Sequence, residues 1–545
     1  MKKILTGAAL SLIAFSASAQ ETYESAQLAT EDLNGTARYV GMGGAMEALG
    51  GDISTMSSNP AGTAMFRRTW AGISGGLTVQ KGNELKNDAG FKDGVTNADL
   101  NQVGFIFANK VGANSWLNLG FNYHKSRNFN QVNYATGLLD GSSANGISYL
   151  SLKYPSAPTS DISKYGYYSA LDKCDLETVL YPSMGSDNRP VSRGAQQYYA
   201  YNKASGYISD FDFNISGNIN DRVYLGLTFG IKDVRFDQTT YYEENFSQEG
   251  GYHLSDTRNV RGTGFDAKFG VIVRPIEESP FRFGFYINTP TWYELKTQIR
   301  TDVSTSNINY NARDNSGNIT GQQNGSFSYY YDIYNNPTEY KITTPWKFGL
   351  SLGSTFNNNI AIGLTYQFSD YSTINNRIYT GEYRTYDSYY DGWTQYNYST
   401  STKTYADDNE MNRNTKNCLK GVHLLKIGME VKPVKTVSIR VGYNYESAIY
   451  ENNASKDYNM SSYSTGNFNT LRSFTNWKAT HRVTFGLGLQ LYKNLSLDLA
   501  YQYAGQKGDF YPFQKATGSD FNVNPTKCEV KNNRHQVNAT LGVRF

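Results

Sequence analysis

Residues 537–545 read Val537-Asn538-Ala539-Thr540-Leu541-Gly542-Val543-Arg544-Phe545, apolar at odd positions and small or polar at even ones. Side chains of a β-strand alternate between its two faces, so this stretch presents one apolar face and one polar face. The same rule runs through Val483, Phe485, Leu487, Leu489 and Leu491, with Thr484, Gly486, Gly488 and Gln490 between them. It recurs at Val437, Ile439, Val441, Tyr443 and Tyr445, with Ser438, Arg440, Gly442 and Asn444 facing the other way. Four alternating apolar residues enclosing three others should arise about three times by chance in a chain of this composition. Here the pattern starts at Leu225, Trp346, Ile362, Leu425, Val437, Val483 and Val537.

Working outward, the alternation places fourteen strands. They lie near 69–80, 101–110, 115–130, 204–218, 222–238, 258–273, 281–297, 340–356, 359–376, 419–432, 436–450, 478–492, 495–505 and 531–545. Their connectors alternate between long ones, from roughly 19 to 73 residues, and short ones of about 2 to 7 residues. Val111-Gly112-Ala113-Asn114, Asn357-Asn358, Pro433-Val434-Lys435 and Lys493-Asn494 belong to the short class. Tight turns on one side and long loops on the other are the pattern of an outer-membrane barrel. Hydrocarbon offers no hydrogen bonds, so a sheet inside it must close. The expected fold is therefore all-β, a 14-stranded antiparallel transmembrane β-barrel in the Gram-negative outer membrane. A soluble β-sandwich would not need such one-sided loops.

Composition agrees. Only 18% of the 545 residues are charged, against about a quarter in soluble domains, while aromatics reach 14%. A mean hydropathy of −0.56 excludes a bundle of apolar helices but not a barrel with a polar lumen. A net charge of +3 with no basic stripe excludes a nucleic-acid partner. Met1-Lys2-Lys3, the apolar run Ile4 to Phe15 and Ala17-Ser18-Ala19 read as a signal peptide, residues 1–19, cleaved before Gln20. Trp70, Trp292, Trp346, Tyr371, Tyr450 and Tyr503 fall near strand ends and suit interface girdles.

Residues 20–68 do not alternate. They carry Ala37-Arg38-Tyr39-Val40-Gly41-Met42-Gly43-Gly44-Ala45, then Gly50-Gly51-Asp52, then Ser57-Ser58-Asn59-Pro60-Ala61-Gly62. Glycine at this density marks backbone that turns tightly or packs close to a wall. A fourteen-strand barrel leaves a channel unless something fills it, so a compact plug in the lumen is expected. The division is thus 1–19 signal peptide, 20–68 N-terminal hatch and 69–545 barrel.

Arg38 with Gly41-Met42-Gly43-Gly44-Ala45, followed by Asn59-Pro60-Ala61-Gly62, resembles the N-terminal hatch of the FadL family. That family comprises outer-membrane transporters for long-chain fatty acids and other hydrophobic compounds, including the TodX-type channels. The resemblance extends to strand number, to a terminal Phe545 used with the barrel-assembly machinery, and to Thr344-Pro345 leading into strand eight. It implies a hydrophobic small-molecule ligand captured at the loops, no cofactor and no energy source. A rearrangement of a hatch containing Gly41, Gly43, Gly44, Asn59, Pro60 and Ala61 would then open a path, with outer-membrane lipid around the wall and a wall defect as a sideways exit. The loops are longer and richer in Tyr than in well-studied members, above all 131–203, which leaves the ligand open. A receptor for a bulky ligand such as haem, without transport, is the alternative.

Parity turns Lys268, Arg282, Lys347, Lys426, Arg440 and Arg482 inward, with Asp212, Asp266, Glu430 and Asp498 as acidic counterparts. On the lipid side a cation would cost roughly 2–4 kcal/mol at the midplane. Such residues either satisfy one another or meet a ligand head group. Lys426 and Arg440, on adjacent strands near mid-depth, are the candidates for a head-group contact. Gly72-Ile73-Ser74-Gly75-Gly76 and Gly349-Leu350-Ser351-Leu352-Gly353 match G-x-S-x-G but lie in strands, not at a strand-to-helix elbow. The five histidines show no metal-ligand spacing, and no catalytic set is read. Cys174, Cys418 and Cys528 fall in stretches read as loops.

Overall fold

The computed structural model describes residues 21–545 except 83–92, 145–193, 247–249, 314–318, 327, 333–336, 358, 391–394, 457–472 and 519–520. The first staves are β1 (Trp70–Lys81), β2 (Gly94–Gly112), β3 (Ser115–Asn128) with its continuation β4 (Gln131–Leu138), β5 (Ala195–Ile219), β6 (Val223–Phe246) and β7 (Gly251–Val273). Next come β8 (Arg282–Asn288) and β9 (Trp292–Ser306), and the short strands β10 (Ile308–Arg313), β11 (Ile319–Gly325) and β12 (Ser328–Asp332). β13 (Thr338–Thr343), β14 (Lys347–Phe356), β15 (Ile360–Asp370), β16 (Asn375–Tyr390) and β17 (Gln395–Asp407) follow. The wall is completed by β18 (Gly421–Val434), β19 (Val437–Glu446), β20 (Phe474–Tyr492), β21 (Leu495–Tyr511) and β24 (Cys528–Arg544), with β22 (Ala516–Gly518) and β23 (Phe521–Val523) forming a small hairpin.

β1 pairs with β2 on one edge and with β24 on the other, Trp70 standing opposite Ile106 and Arg544. The sheet is thereby closed. Counting β3–β4, β8–β9, β12–β13–β14, β15–β16 and β17–β18 as single staves, the wall has fourteen antiparallel strands, as the alternation required. Three of the breaks are side by side, Lys347 standing opposite both Asn288 and Ser369. Pro290 and Pro345 cause two of them, because proline has no N–H for the ladder. A 3₁₀ turn at Tyr371–Thr373, capped by Asp370, makes the third.

Parity sorts the side chains. Phe105, Phe107, Phe213, Leu225, Phe485 and Leu541 are exposed on the outer face. An apolar surface of this extent on every stave is stable only against hydrocarbon. Leu487 is 38% exposed, while its neighbour Gly486 faces the lumen. Among the described residues no helix is long and apolar enough to cross a membrane. The chain is an outer-membrane-type barrel that crosses with strands.

Several sequence-level expectations are corrected. Trp70, Tyr371 and Tyr450 are buried inside instead of joining a girdle, whereas Trp292 and Trp346 do face outward. The region 131–203, read as loop, contributes β4 and the first residues of β5, and the connector expected between the strands 359–376 and 419–432 holds the β16–β17 hairpin. Cys418 ends a helix, α3 (Asn409–Cys418), and Cys528 begins β24. Helix α3 starts where the Asp408 carboxylate accepts from the Met411 amide at 3.0 Å. Cys174 and the signal-peptide residues 1–19 lie outside the described residues.

Candidate functional site

Residues 21–69 run through the lumen. They form α1 (Thr22–Ala29), α2 (Ala37–Gly41) and two 3₁₀ turns, Ile53–Ser57 and Pro60–Met65. Thr36 caps α2, and Asn59 caps the second turn by accepting from the Ala61 amide at 3.2 Å, with Pro60 at the first position. Gly43 and Gly44 adopt φ of +62° and +78°, a conformation that favours glycine.

The wall receives this segment on glycine. Gly353, Gly363, Gly428 and Gly442 stand directly opposite one another across four staves. A Cβ on Gly363 would fall within 3 Å of the Ala45 carbonyl, on Gly428 of the Met42 carbonyl, and on Gly442 of the Gly43 amide. Gly226 and Gly270 meet Pro60 and Asn59 in the same way, and Gly486 lies against Gly41. These inward glycines are what the alternation showed as the small residues of each strand. Their shared height emerges only from the register.

Charge then fixes the segment. The Glu47 carboxylate, fully buried, accepts from Lys426 at 2.6 Å, Thr365 at 2.8 Å and Tyr39 at 3.1 Å. Arg38 donates to Glu430 at 3.2 Å, and Glu430 also binds Arg440 at 2.6 Å. Arg440 reaches Asp498 at 2.6 Å. Lys426 and Arg440, singled out from the sequence for a head group, are thus held by carboxylates, one of them on the N-terminal segment itself. Arg482 bonds Glu446 at 2.8 Å, and Arg282 donates to the Leu49 carbonyl at 3.0 Å.

A second network crosses mid-lumen. Lys268 binds Asp212 at 2.9 Å and Asp266 at 2.7 Å; Lys232 is paired with Asp210; Lys347 meets Glu31 at 2.7 Å. Lys232 also lies 3.6 Å from the Glu31 carboxylate, so two ammonium groups face it. Buried ions persist only where partners satisfy them, and here they do. Sequence reasoning missed Lys232 and Asp210, although their parity carried the signal, and could not have found Glu31 or Glu47, which lie in a segment without period.

Between these layers the lumen is a string of cavities. The outermost is walled by Tyr23, Tyr134, Tyr201, Tyr450, Phe474, Trp477 and Phe510, with Arg258 and Lys456 among its lining. Arg258 is paired with Glu24 at 2.6 Å and Lys456 with Glu21 at 2.7 Å. A second cavity shares Gln27, Gln131, Tyr450 and Trp477 with the first, and a third shares Asp32, Glu446 and Arg482 with the second. The third ends on Leu33, Tyr39 and Lys426. Leu33, Tyr39, Met42, Met46 and Leu49 pack together there. Beyond them a last cavity, lined by Arg38, Met42, Leu49, Arg282 and Asn359, opens near the turn between β14 and β15.

The wall has a gap on one side. β2 pairs with β3 only from Gln102, opposite His124, to Gly112; its residues 94–100 pair with β1 alone. β3 gives way to β4 after Asn128, and β4 approaches β1 and β24 from within. The side chain of Gln80 takes the place of a strand there, donating to the Val132 carbonyl at 3.0 Å and accepting from the Val132 amide at 2.8 Å. The Lys125–Asp99 pair and an Asn128–Asp99 bond at 3.0 Å bridge the gap.

A closed barrel, a polar lumen divided by a packed N-terminal segment, and one interrupted seam define a plugged outer-membrane barrel. The crystal structure of a Pseudomonas aeruginosa FadL homologue has this fold. It superposes with a TM-score of 0.51 at 10% identity, covering 95% of this chain and 100% of that one. The toluene transporters TbuX of Ralstonia pickettii and TodX of P. putida superpose at TM-scores of 0.43 and 0.44, both at 11% identity, each covering 94% of this chain and 99% of its own. At such identities the likeness is one of fold. No protein-family model matches the sequence, and no curated protein does.

Proposed function

We propose that this protein is a passive outer-membrane channel of the FadL/TodX type for hydrophobic small molecules, with residues 20–68 as its hatch. The observation that carries the reading is the aromatic-walled cavity linked, through two further cavities, to the packed layer at Tyr39, Met42 and Leu49. An apolar body fits against the rings of the first cavity, while Arg258 and Lys456 in its lining suit a carboxylate that displaces Glu24 or Glu21. Long-chain fatty acids are accordingly the first substrates to test. The seam between β2 and β3 is the exit of least resistance, because no ladder hydrogen bonds have to break there.

Purified protein in liposomes should speed the entry of a long-chain fatty acid without an ion gradient. It should pass small hydrophilic solutes poorly. Free passage of hydrophilic solutes with no fatty-acid entry would overturn the proposal. Tight binding of a bulky ligand such as haem without any uptake would favour the receptor reading instead.

A further inference from the structure

The second cavity of the lumen carries an unbalanced charge. Its charged lining consists of Arg127, Arg482 and Arg534 against Asp32 and Glu446. Asp32 is shared, Arg127 lying 2.8 Å and Arg534 3.2 Å from it, while Arg482 meets Glu446 at 2.8 Å. Asp99, which bonds Asn128 nearby, is already paired with Lys125. The lining is left with one positive charge in surplus. In the first cavity, by contrast, Arg258 and Lys456 are matched by Glu21 and Asp256, and Arg258 also holds Glu24.

Strand register places that surplus. Ala504 on β21 stands directly opposite Arg482 on β20 and Arg534 on β24, and it lines the cavity between them. Neighbouring strands are about 4.8 Å apart, so the two arginine Cα atoms are about 10 Å from each other and the alanine methyl floors a notch. Two residues along on the same face, the flanking rows are Thr484–Gln502–Gln536 and Thr480–Gln506–Asn532. Gln502 is 2% exposed, and its Oε1 has no hydrogen-bond partner among the described residues. Asn532 Oδ1, on the other side of the notch, has none either. Both side chains belong to the cavity's lining, and a buried acceptor is destabilising until a donor meets it.

We propose that the notch over Ala504 binds the head group of an amphipathic carboxylate that carries N–H or O–H donors beside the carboxylate, as an N-acyl amino acid does. The carboxylate would take the surplus charge between Arg482 and Arg534, and its neighbouring donors would reach Gln502 Oε1 and Asn532 Oδ1. The chain would run back past Tyr450 and Trp477, which line both cavities, into the aromatic one. An ionised fatty acid supplies the charge but no donor, and a phosphate brings more than the one negative charge the lining lacks. The inference deepens the channel reading and rests on the lumen being a path for amphiphiles.

The test measures equilibrium binding to the full-length protein in lipid nanodiscs, with empty discs as the blank. The probes are N-dodecanoylserine, its methyl ester, and tetradecanoic acid. Each hydrogen bond recovered in the notch is worth about five-fold, so the serine conjugate should bind roughly 25-fold tighter than the fatty acid. The ester keeps the donors and loses the charge, and should bind about ten-fold or more weakly than the conjugate. Q502L should cut the preference for the conjugate to about five-fold and leave the affinity for tetradecanoic acid as it is. A504L fills the notch and should weaken both acids about ten-fold or more. Equal affinity for conjugate and fatty acid, or for conjugate and ester, would overturn the proposal, and that wild-type comparison stands whether or not a variant folds. An undiminished preference in Q502L would overturn it too. Fatty-acid entry into liposomes without this preference would end the inference and leave the channel, whereas the preference without entry would leave the site and end the channel.

Discussion

Replacing Glu47 with Gln tests whether charge holds the N-terminal segment against the wall. The substitution keeps the shape and one acceptor oxygen, its NH2 donating to the other of the two hydroxyls of Tyr39 and Thr365, but removes the carboxylate 2.6 Å from Lys426. Lys426 is buried, and it also donates to the Tyr39 hydroxyl at 3.3 Å. Taking one partner from a buried ion pair costs about 3–5 kcal/mol. The barrel ladder does not depend on Glu47, so the cost falls on the seating of residues 42–50. That is a shift of about 10²-fold or more in the ratio of displaced to seated segment. Hydrogen exchange should report it as lost protection of the Gly44, Ala45 and Gly50 amides, which now donate to Tyr39, Met42 and Met46. Planar-bilayer conductance should rise in parallel. The double variant E47Q/K426M removes the stranded cation as well and should return both readouts most of the way to wild type, since no uncompensated buried charge remains and the Gln amide keeps the Tyr39 and Thr365 hydroxyls as partners. Unchanged exchange and conductance in E47Q, or a double variant as leaky as the single one, would refute the reasoning.

Adding a methyl to the glycine row should also unseat the segment. G363A and G428A each force backbone contacts apart at a cost of about 1–3 kcal/mol and should raise conductance, whereas G75A, whose nearest neighbour is 3.5 Å away, should not. Q80A leaves the Val132 amide and carbonyl without their partner, about 1–3 kcal/mol each, so spin labels on β4 and β24 should move apart and the seam should widen. Glu244 sits 21 residues above the start of β6, far beyond the bilayer, and its carboxyl takes bonds from Tyr242, Ser143 and the Ala144 amide. Burial raises its pKa to about 7 from an ordinary value near 4.5. The seated form therefore holds a proton that the freed form releases. Docking of residues 139–144 should weaken as pH rises from about 4.5 to about 7 and level off above, and E244Q should flatten that slope in a protease-protection assay.

The wall was legible before any coordinates because two solvents act on one strand. Residues such as Val537, Leu541 and Leu487 must meet oil while Asn538, Thr540 and Gly486 must not, and a period of two records that demand locally. Strand number, closure and the inward direction of Lys268, Lys426, Arg440 and Arg482 all follow from it. The alternation runs unbroken through 281–297 and 340–356, so it did not show the breaks at Pro290 and Pro345, where proline withholds an N–H from the ladder. The seating of residues 21–69 was not legible in that way. Glu47 is only one more carboxylate in a glycine-rich stretch until the register brings Lys426 and Thr365 to it, 379 and 318 positions away. The glycine row, the Gln80–Val132 seam and the notch between Arg482 and Arg534 likewise join residues that no local pattern connects. Sequence periodicity reports which solvent each side chain faces; which side chains share a height around a closed wall is decided by strand register and shear, and only the assembled barrel expresses them.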